Sequence, residues 1–491
     1  MSRWDAHAAG NLRGFVGSGE LSAGGSGELP SWNSAPGGIG KRSLPMVSLL
    51  GETSHRQAPK TPLVAATRTR RLSMHPLATC TTALSLLFFA CVTAKADNWP
   101  RFRGPNGQGL SEDKAIPVKW SEEDVRWKIV LPGGGHSSPV VWDGKVFVAS
   151  ADEKTLTGTL LCVEAATGRE LWRKPYSLAK VPLNTLNSYA SVTPTVDGDH
   201  VYAVWPGPAE TNLTAVTHEG KEVWTAKLPA SRTRHGMGSS PILCNDAVIL
   251  SHEQDQVSGG KLSVWLAVDR GTGQVLWRRE IPETVNASYS TPCVYRGKDE
   301  RAQLVFTSHL HGVAGVDSGT GEILWTTPGT LTARTVSSAV LADGMVVANC
   351  GEGGRGVRMA AVKPPSDGSS VGTEVYALDG AAVSYVPTPI VFGDLLFLFF
   401  DQGKVSCLHA GTGELLWSEK PAGRYVGSPV CVDGKLYCMT VDGDVVVLTA
   451  GPKYELLAVN RLDEKTQATP AVADGRMFLR TFSHLTCVGE K

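Results

Sequence analysis

The stretch Ala267-Val268-Asp269-Arg270-Gly271-Thr272-Gly273-Gln274-Val275-Leu276-Trp277 constrains this chain more than any other. It reads as a strand, a tight turn carrying Asp and two glycines, and a second strand that closes on Trp. Close copies run from Cys162 to Trp172, from Gly315 to Trp325 and from Cys407 to Trp417, and a shorter copy runs from Ala215 to Trp224. Such a unit must be accommodated before any other element is assigned, because each copy builds the same small piece and the pieces stack.

A second marker precedes each Trp unit: Ser or Thr, then Pro, an apolar pair, a turn of the Asp-Gly type and a short apolar strand. The prolines are Pro139, Pro194, Pro241, Pro292, Pro389, Pro429 and Pro470, and Ser338-Ala339 takes the place of the fifth. The eight markers stand 40 to 55 residues apart. Asp-Gly turns such as Asp143-Gly144, Asp343-Gly344 and Asp474-Gly475 favour two-residue hairpins, whose twist-matched turn needs positive φ. Each unit is therefore two hairpins, or four strands, which we letter A to D from the Pro to the Trp. Pro is tolerated at the first residue of a strand.

Four-stranded units of this period predict an all-β, eight-bladed propeller. The Trp then packs a large apolar surface into the seam with the next blade. Unit five departs from the pattern: it has a Gly-rich segment, Gly351 to Gly356, a polar turn, Lys363 to Gly372, and no Trp on its D strand, Glu374 to Leu378. Unit seven has Leu456-Leu457 where a Trp is expected, and unit eight ends after its third strand, Leu485 to Val488. Val125 to Val130 looks like the missing D strand, so the expected ring is closed by the N-terminal strand near Trp127 pairing into the last blade.

Residues 1–73 are rich in Gly, Ser, Pro and Ala, and they read as disordered or as an extension from a start codon placed too far upstream of Met74. Residues 74–96 read as a signal peptide, with an apolar run from Ala83 to Val92 and an Ala94-Lys95-Ala96 cleavage site. The run is too short to span a bilayer, so no transmembrane segment is expected. Export to the periplasm or cell envelope follows, with Asp97 as the free mature start favoured over lipid attachment at Cys91. Residues 97–125 form a lead segment and 126–491 the propeller. The charge, 47 basic against 47 acidic side chains, leaves no basic stripe for nucleic acid. A monomer is expected.

The loop from each D strand to the next A strand delivers residues to one face, near the axis. The bulky polar and aromatic groups at that register are His136, Tyr189, His235, Tyr289, Arg334, Tyr385 and Arg424, with Tyr425 and Gln467 beside them. They are the candidate binding residues for a ligand or partner, since such groups anchor interfaces and pockets. His252-Glu253 and Arg355 are weaker candidates in longer loops. Cys162, Cys407 and Cys487 recur at one strand C position and so read as core residues, whereas Cys431 and Cys438 flank a turn and could pair across it. His309 and His311 would share one face of a strand, and no third metal ligand accompanies them.

The signature from Ala267 to Trp277 resembles the tryptophan-docking repeat of pyrroloquinoline quinone (PQQ) propellers, and the resemblance extends over residues 126–491. Asn98 to Gly107 looks like the mature start of exported PQQ-like proteins of planctomycete bacteria, a group that resembles the barrel-assembly lipoprotein BamB more than the quinoprotein enzymes. The resemblance to the enzymes implies adjacent cysteines over the cofactor, a calcium site and an Asp base. This chain has no adjacent cysteines and no Cys-x-x-Cys-His haem attachment. The reading is a non-enzymatic scaffold that binds a protein or envelope component through its axial face, with no catalytic residue, metal or cofactor expected. The alternative is a PQQ-dependent oxidoreductase with an atypical site, taking PQQ with calcium. A carbohydrate-binding propeller is a third reading, in which Trp and Tyr would also serve.

Overall fold

Each repeat folds as two hairpins side by side because its turns carry the residues that tight turns require. In the first A–B turn, Asp143 and Gly144 have φ of +46° and +69°, and the Asp-Gly pairs at 343, 433 and 474 repeat the geometry. The computed structural model describes residues 98–255, 263–282, 285–298 and 300–489. The expected N-terminal extension, the leader, Cys91 and Asp97 lie outside them.

Eight antiparallel sheets result, and they form an eight-bladed β-propeller. Blade one consists of Val140–Trp142, Lys145–Asp152, Thr157–Glu164 and Glu170–Ser177, ordered from the innermost strand outward. Blade seven gains a fifth strand at its inner edge, where Leu110–Ser111 runs parallel to Val430–Val432. Blade eight takes Ala471–Ala473, Arg476–Arg480 and His484–Gly489 from the end of the chain and Val125–Val130 from its lead side, with Trp127 opposite Cys487.

The Trp motif is a lock between neighbouring blades. Asp269 Oδ1 accepts hydrogen bonds from Gly271 N (3.1 Å), Thr272 N (2.8 Å) and the Thr272 hydroxyl (2.8 Å), which fixes the turn. Gly273 follows at φ +73°, and a Cβ there would stand 2.6 Å from the Trp224 indole of the preceding blade. Gly168, Gly220 and Gly321 meet Trp127, Trp172 and Trp277 in the same way. Each indole N–H then donates to the turn it covers: Trp127 to Ala165 O (3.0 Å), Trp172 to His218 O (2.7 Å), Trp224 to Arg270 O (3.0 Å) and Trp277 to Ser318 O (3.0 Å). The Thr-Gly of the motif thus has two reasons, a left-handed turn and an aromatic plane lying against it.

Three blades solve the seam differently. On blade five Tyr376 stands in for Trp: its ring covers Gly413 and its hydroxyl donates to Ala410 O (2.8 Å). On blade four the Trp325 indole turns inward to Gln303 Oε1 (2.7 Å), while the polar segment of blade five pairs along that outer edge through Ser370 O and Gly372 N. On blade seven the strand register puts Ala458 at the Trp position, two residues beyond Leu456, and Trp120 of the lead segment packs into the same cluster. The core is accordingly divided among the seams, as in the clusters between blades one and two and between blades three and four.

The cysteines in the described residues are free and buried, Cys431 and Cys438 included. Cys431 faces Leu436 across its hairpin, so the two cysteines are not cross-strand partners. His309 and His311 do not share a strand face either. They lie in the turn between Ala302–Ser308 and Gly312–Asp317, where the His311 ring stands 5.2 Å from that of Trp265.

A second tie runs around the axis. The backbone N–H of Ser138 donates to the Thr193 hydroxyl, Thr193 to Ser240, Ser240 to Thr291, Thr291 to Ser338, Ser338 to Thr388, Thr388 to Ser428, Ser428 to Thr469, and Thr469 back to Ser138, each at 3.0 or 3.1 Å. These are the eight Ser or Thr residues of the sequence marker, and their hydrogen bonds form a closed circle through all eight blades.

Thr291→Val should destabilise the fold by about 1–3 kcal/mol, because it leaves the buried Ser240 N–H without an acceptor, whereas Thr291→Ser should keep the bond and unfold close to the parent in urea. Trp127→Ala should cost about 3–5 kcal/mol in the same assay, the range for deleting a large buried aromatic. An unchanged urea midpoint for Trp127→Ala would mean that the first and last blades are held together elsewhere.

Candidate functional site

The inner strands expose unpaired backbone groups toward the axis, and such edges need a partner. The lead segment supplies one. Trp99 exchanges two backbone hydrogen bonds with Val141 (2.9 Å each), and Pro100 O accepts from Val196 N (2.8 Å). The Asn106 amide pairs with both backbone groups of Val294 (2.8 Å each), Gln108 Oε1 accepts from Leu341 N (2.9 Å), and Gly109 O accepts from Cys431 N (2.8 Å). Asp113 Oδ2 takes Gly475 N at 2.6 Å. Six blades are crossed in this way. All these contacts fall downstream of the hydroxyl ring, toward the A–B turns, so the segment plugs that end of the axial channel.

Upstream of the ring the channel stays open as a cup of about 540 Å³. All eight ring residues line it, Phe102 of the plug reaches it, and Asn184, Asn187, Val336 and Gly353 contribute from longer loops. Five of the seven candidate residues line it as well: His136, His235, Tyr289, Arg334 and Tyr385, together with Gln467. The other two do not. Tyr189 packs into the seam between blades one and two, and Arg424 is exposed outside the cup, where its carbonyl accepts from Val441 N (2.8 Å). Tyr425 is buried edge-on against Phe399, with ring centroids 5.1 Å apart. The Ser/Thr marker carried the missed signal, since a hydroxyl stands there in every repeat.

Burial sets the chemistry of the lining. It lowers the His136 imidazole to about 4, with the Arg480 guanidinium adding to the effect, so the ring is neutral at physiological pH. Burial also lowers His235, again with help from a cation, Arg334, and it raises the phenols of Tyr289 and Tyr385. His235 Nδ1 lies 3.3 Å from the Asn184 amide nitrogen, which joins two of the longer loops. Behind the wall, Asp401 accepts from the backbone N–H groups of Tyr385 (3.1 Å) and Val386 (3.3 Å), and burial pushes its carboxyl up to about 6. Several buried polar atoms of the lining have no protein partner: His136 Nδ1, the Tyr289 hydroxyl, Arg334 Nε and Gln467 Oε1.

The weaker candidates sit elsewhere. His252 Nε2 donates to the Pro229 carbonyl oxygen (2.9 Å), and Glu253 is buried, its carboxylate accepting from the Trp265 indole and Ser288 N (3.0 Å each). Burial raises the Glu253 carboxyl to about 7. Arg355 lines a separate groove of about 870 Å³ beside Lys404 and Lys420. Ser483, His484 and Glu464 cluster, but both contacts of the imidazole fall on Nδ1, at 3.0 Å from the Ser483 hydroxyl and 2.9 Å from Glu464. A nucleophilic triad needs the two ring nitrogens divided between base and orienter, so this is a structural cluster. Among the described residues no group of three or more His, Cys, Asp or Glu side chains is placed to hold a metal, and no helix is long and apolar enough to cross a membrane.

The family model described as outer membrane protein assembly factor BamB matches residues 124–347 and 360–452. Among curated proteins none is matched. BamB from Moraxella catarrhalis is similar in structure, with a TM-score of 0.51 and 14% identity over 74% of this chain and 99% of that one. Quinohemoprotein alcohol dehydrogenase from Comamonas testosteroni gives 0.58 and 13% over 80% and 81%, and the computationally designed Ika8 protein gives 0.52 and 13% over 74% and 98%. At these identities the structural likeness is one of fold.

The Glu464 cluster makes a pH prediction. Burial raises this carboxyl, but hydrogen bonds from Ser483, Thr481 and His484 outweigh it and bring the folded value from 4.5 to about 2. A depressed carboxylate stabilises the fold above its unfolded pKa, and that stability is lost as pH falls through the folded value. Glu464→Gln should therefore be less stable at pH 7 by about 1–3 kcal/mol. The gap to the parent should shrink as urea titrations are taken from about pH 4.5 toward 2.

Proposed function

The chain belongs to the family of outer membrane protein assembly factor BamB, and from that membership we propose that it is an exported, non-enzymatic scaffold that receives a protein or cell-envelope partner at the open mouth of its axial cup. The observation that carries the reading is the cup itself: plugged at one end, open at the other, and lined from every blade by polar groups, several of them without a protein partner. Concave sites with convergent polar groups are where ligands and partner side chains are held. The expected leader at 74–96 supports export.

The alternative, a PQQ-dependent oxidoreductase, asks for residues that the cup does not offer. Its lining contains no Asp or Glu to hold calcium and no Cys to stand over a quinone. The donor set therefore does not fit PQQ with calcium.

Photo-crosslinking side chains placed at Leu186 and Arg424, near the mouth, should capture a partner in envelope preparations. The same probe at Asp343, on an A–B turn of the plugged face, should not. Adducts formed from Asp343 alone would overturn the choice of face. A saturable one-to-one complex with PQQ and calcium in a calorimetric titration would replace the scaffold reading with the quinoprotein one.

A further inference from the structure

Three features of the axial cup share one electrostatic sign. The first is the hydroxyl ring. Each ring oxygen accepts a backbone N–H from the neighbouring blade, and among the described residues none of the eight hydroxyls donates to a protein acceptor. A hydroxyl has one proton to give, so the ring offers the cup a circle of donors. The second is the lining above the ring. It includes the Arg334 guanidinium and no carboxylate, and the Tyr289 hydroxyl, on a residue only 9% exposed, has no protein partner.

The third lies in the plug. Arg101 and Arg103 are buried, and their guanidiniums reach the carbonyls of Pro292 (2.7 Å) and Pro429 (3.4 Å), the residues that follow Thr291 and Ser428 of the ring. Neither forms an ion pair among the described residues. Burial lowers both, Arg101 to about 10 and Arg103 to about 9, and both stay charged at neutral pH. Carbonyl dipoles solvate a buried cation but do not neutralise it, so a positive field extends into the cup.

We propose that the axial cup is an oxyanion site that takes a carboxylate, seated over the hydroxyl ring and clamped by Arg334, with the Tyr289 hydroxyl as a further donor. The planar guanidinium matches a carboxylate in a two-bond fork. The negative charge offsets the two unpaired cations of the plug. The carboxylate belongs either to the partner assigned above to the open mouth or to a free small organic acid. The proposal rests on that assignment only for the first source.

Thermal unfolding and calorimetry on the full chain test it, with propionate, with inorganic phosphate, and with an alanine-rich hexapeptide in free-acid and amidated forms. Propionate should raise the unfolding temperature saturably, beyond chloride at equal ionic strength, since a ligand that binds only the folded state stabilises it. Arg334→Gln should weaken binding by about tenfold or more, and Tyr289→Phe by a few-fold, with the unliganded unfolding temperature little changed in either. A free-acid peptide that outbinds both its amide and propionate assigns the carboxylate to a chain end, whereas propionate binding as tightly as the peptide assigns it to a free acid. Stabilisation matched by chloride, binding of phosphate in preference to every carboxylate, or binding unaffected by Arg334→Gln would overturn the proposal. Carboxylate binding without crosslinks at the mouth would leave this site standing and remove the scaffold. Crosslinks without carboxylate binding would do the reverse.

Discussion

The hydrogen bond from the backbone of one Ser or Thr to the hydroxyl of the next, repeated eight times and returning to its start, is what the rest of the molecule depends on. Radial sheets leave a wet gap where their inner edges converge, and side-chain packing alone does not fill it. Here a short hydroxyl bridges each gap and holds neighbouring inner strands at a fixed spacing. The Pro that follows most ring residues is compatible with this, because the bond uses the N–H of the ring residue and not that of its successor. At the outer rim the Trp-over-Gly lock repeats the principle with an aromatic plane on blades one, two, three and eight, and Tyr376 does the same on blade five, so these seams are tied twice, once by a polar contact and once mainly by an apolar one.

The plug follows from the same geometry. Eight inner strands point unpaired groups at the axis, and one segment of irregular backbone, rich in Gly and with side-chain amides, can satisfy groups that lie in several directions. Gly104, at φ +67°, lies where a Cβ would be 2.6 Å from the Trp99 ring. This makes the tight fold of the plug a matter of sterics. Two buried guanidiniums are part of the arrangement, and they add to the positive charge that Arg334 brings to the wall of the cup.

Much of this was legible in the sequence. Hairpin turns and the Trp signature are local, so the blade number and the four-strand order within a blade follow from spacing. What escaped depended on distant neighbours. The ring hydroxyls are visible as a repeated residue type, but each finds its partner on another blade, 40 to 55 residues away for seven of the bonds and 331 for the one that closes the circle. Tyr376 gives no signal in the sequence, because a Tyr can replace a Trp only if its hydroxyl meets the right carbonyl. The loops that approach the cup differ in length, which is why Asn184 and Val426 face it where Tyr189 and Arg424 were expected. The spacing of His309 and His311 suits a strand face, and the tight turn that holds them instead leaves little trace in a short apolar stretch.

Blade eight carries one more consequence. The Arg126 side chain bonds Gly489 O at 2.8 Å across 363 residues of sequence. The strand Val125–Val130 thus waits for His484–Gly489, which is made more than three hundred and fifty residues later. Folds dominated by such distant pairings form slowly, because the loop must close before its contacts reward it. During synthesis the strand at residues 125–130 therefore stays without its partner until residues 484–489 have been made, and the seam between the eighth blade and the first is the last to be drawn shut.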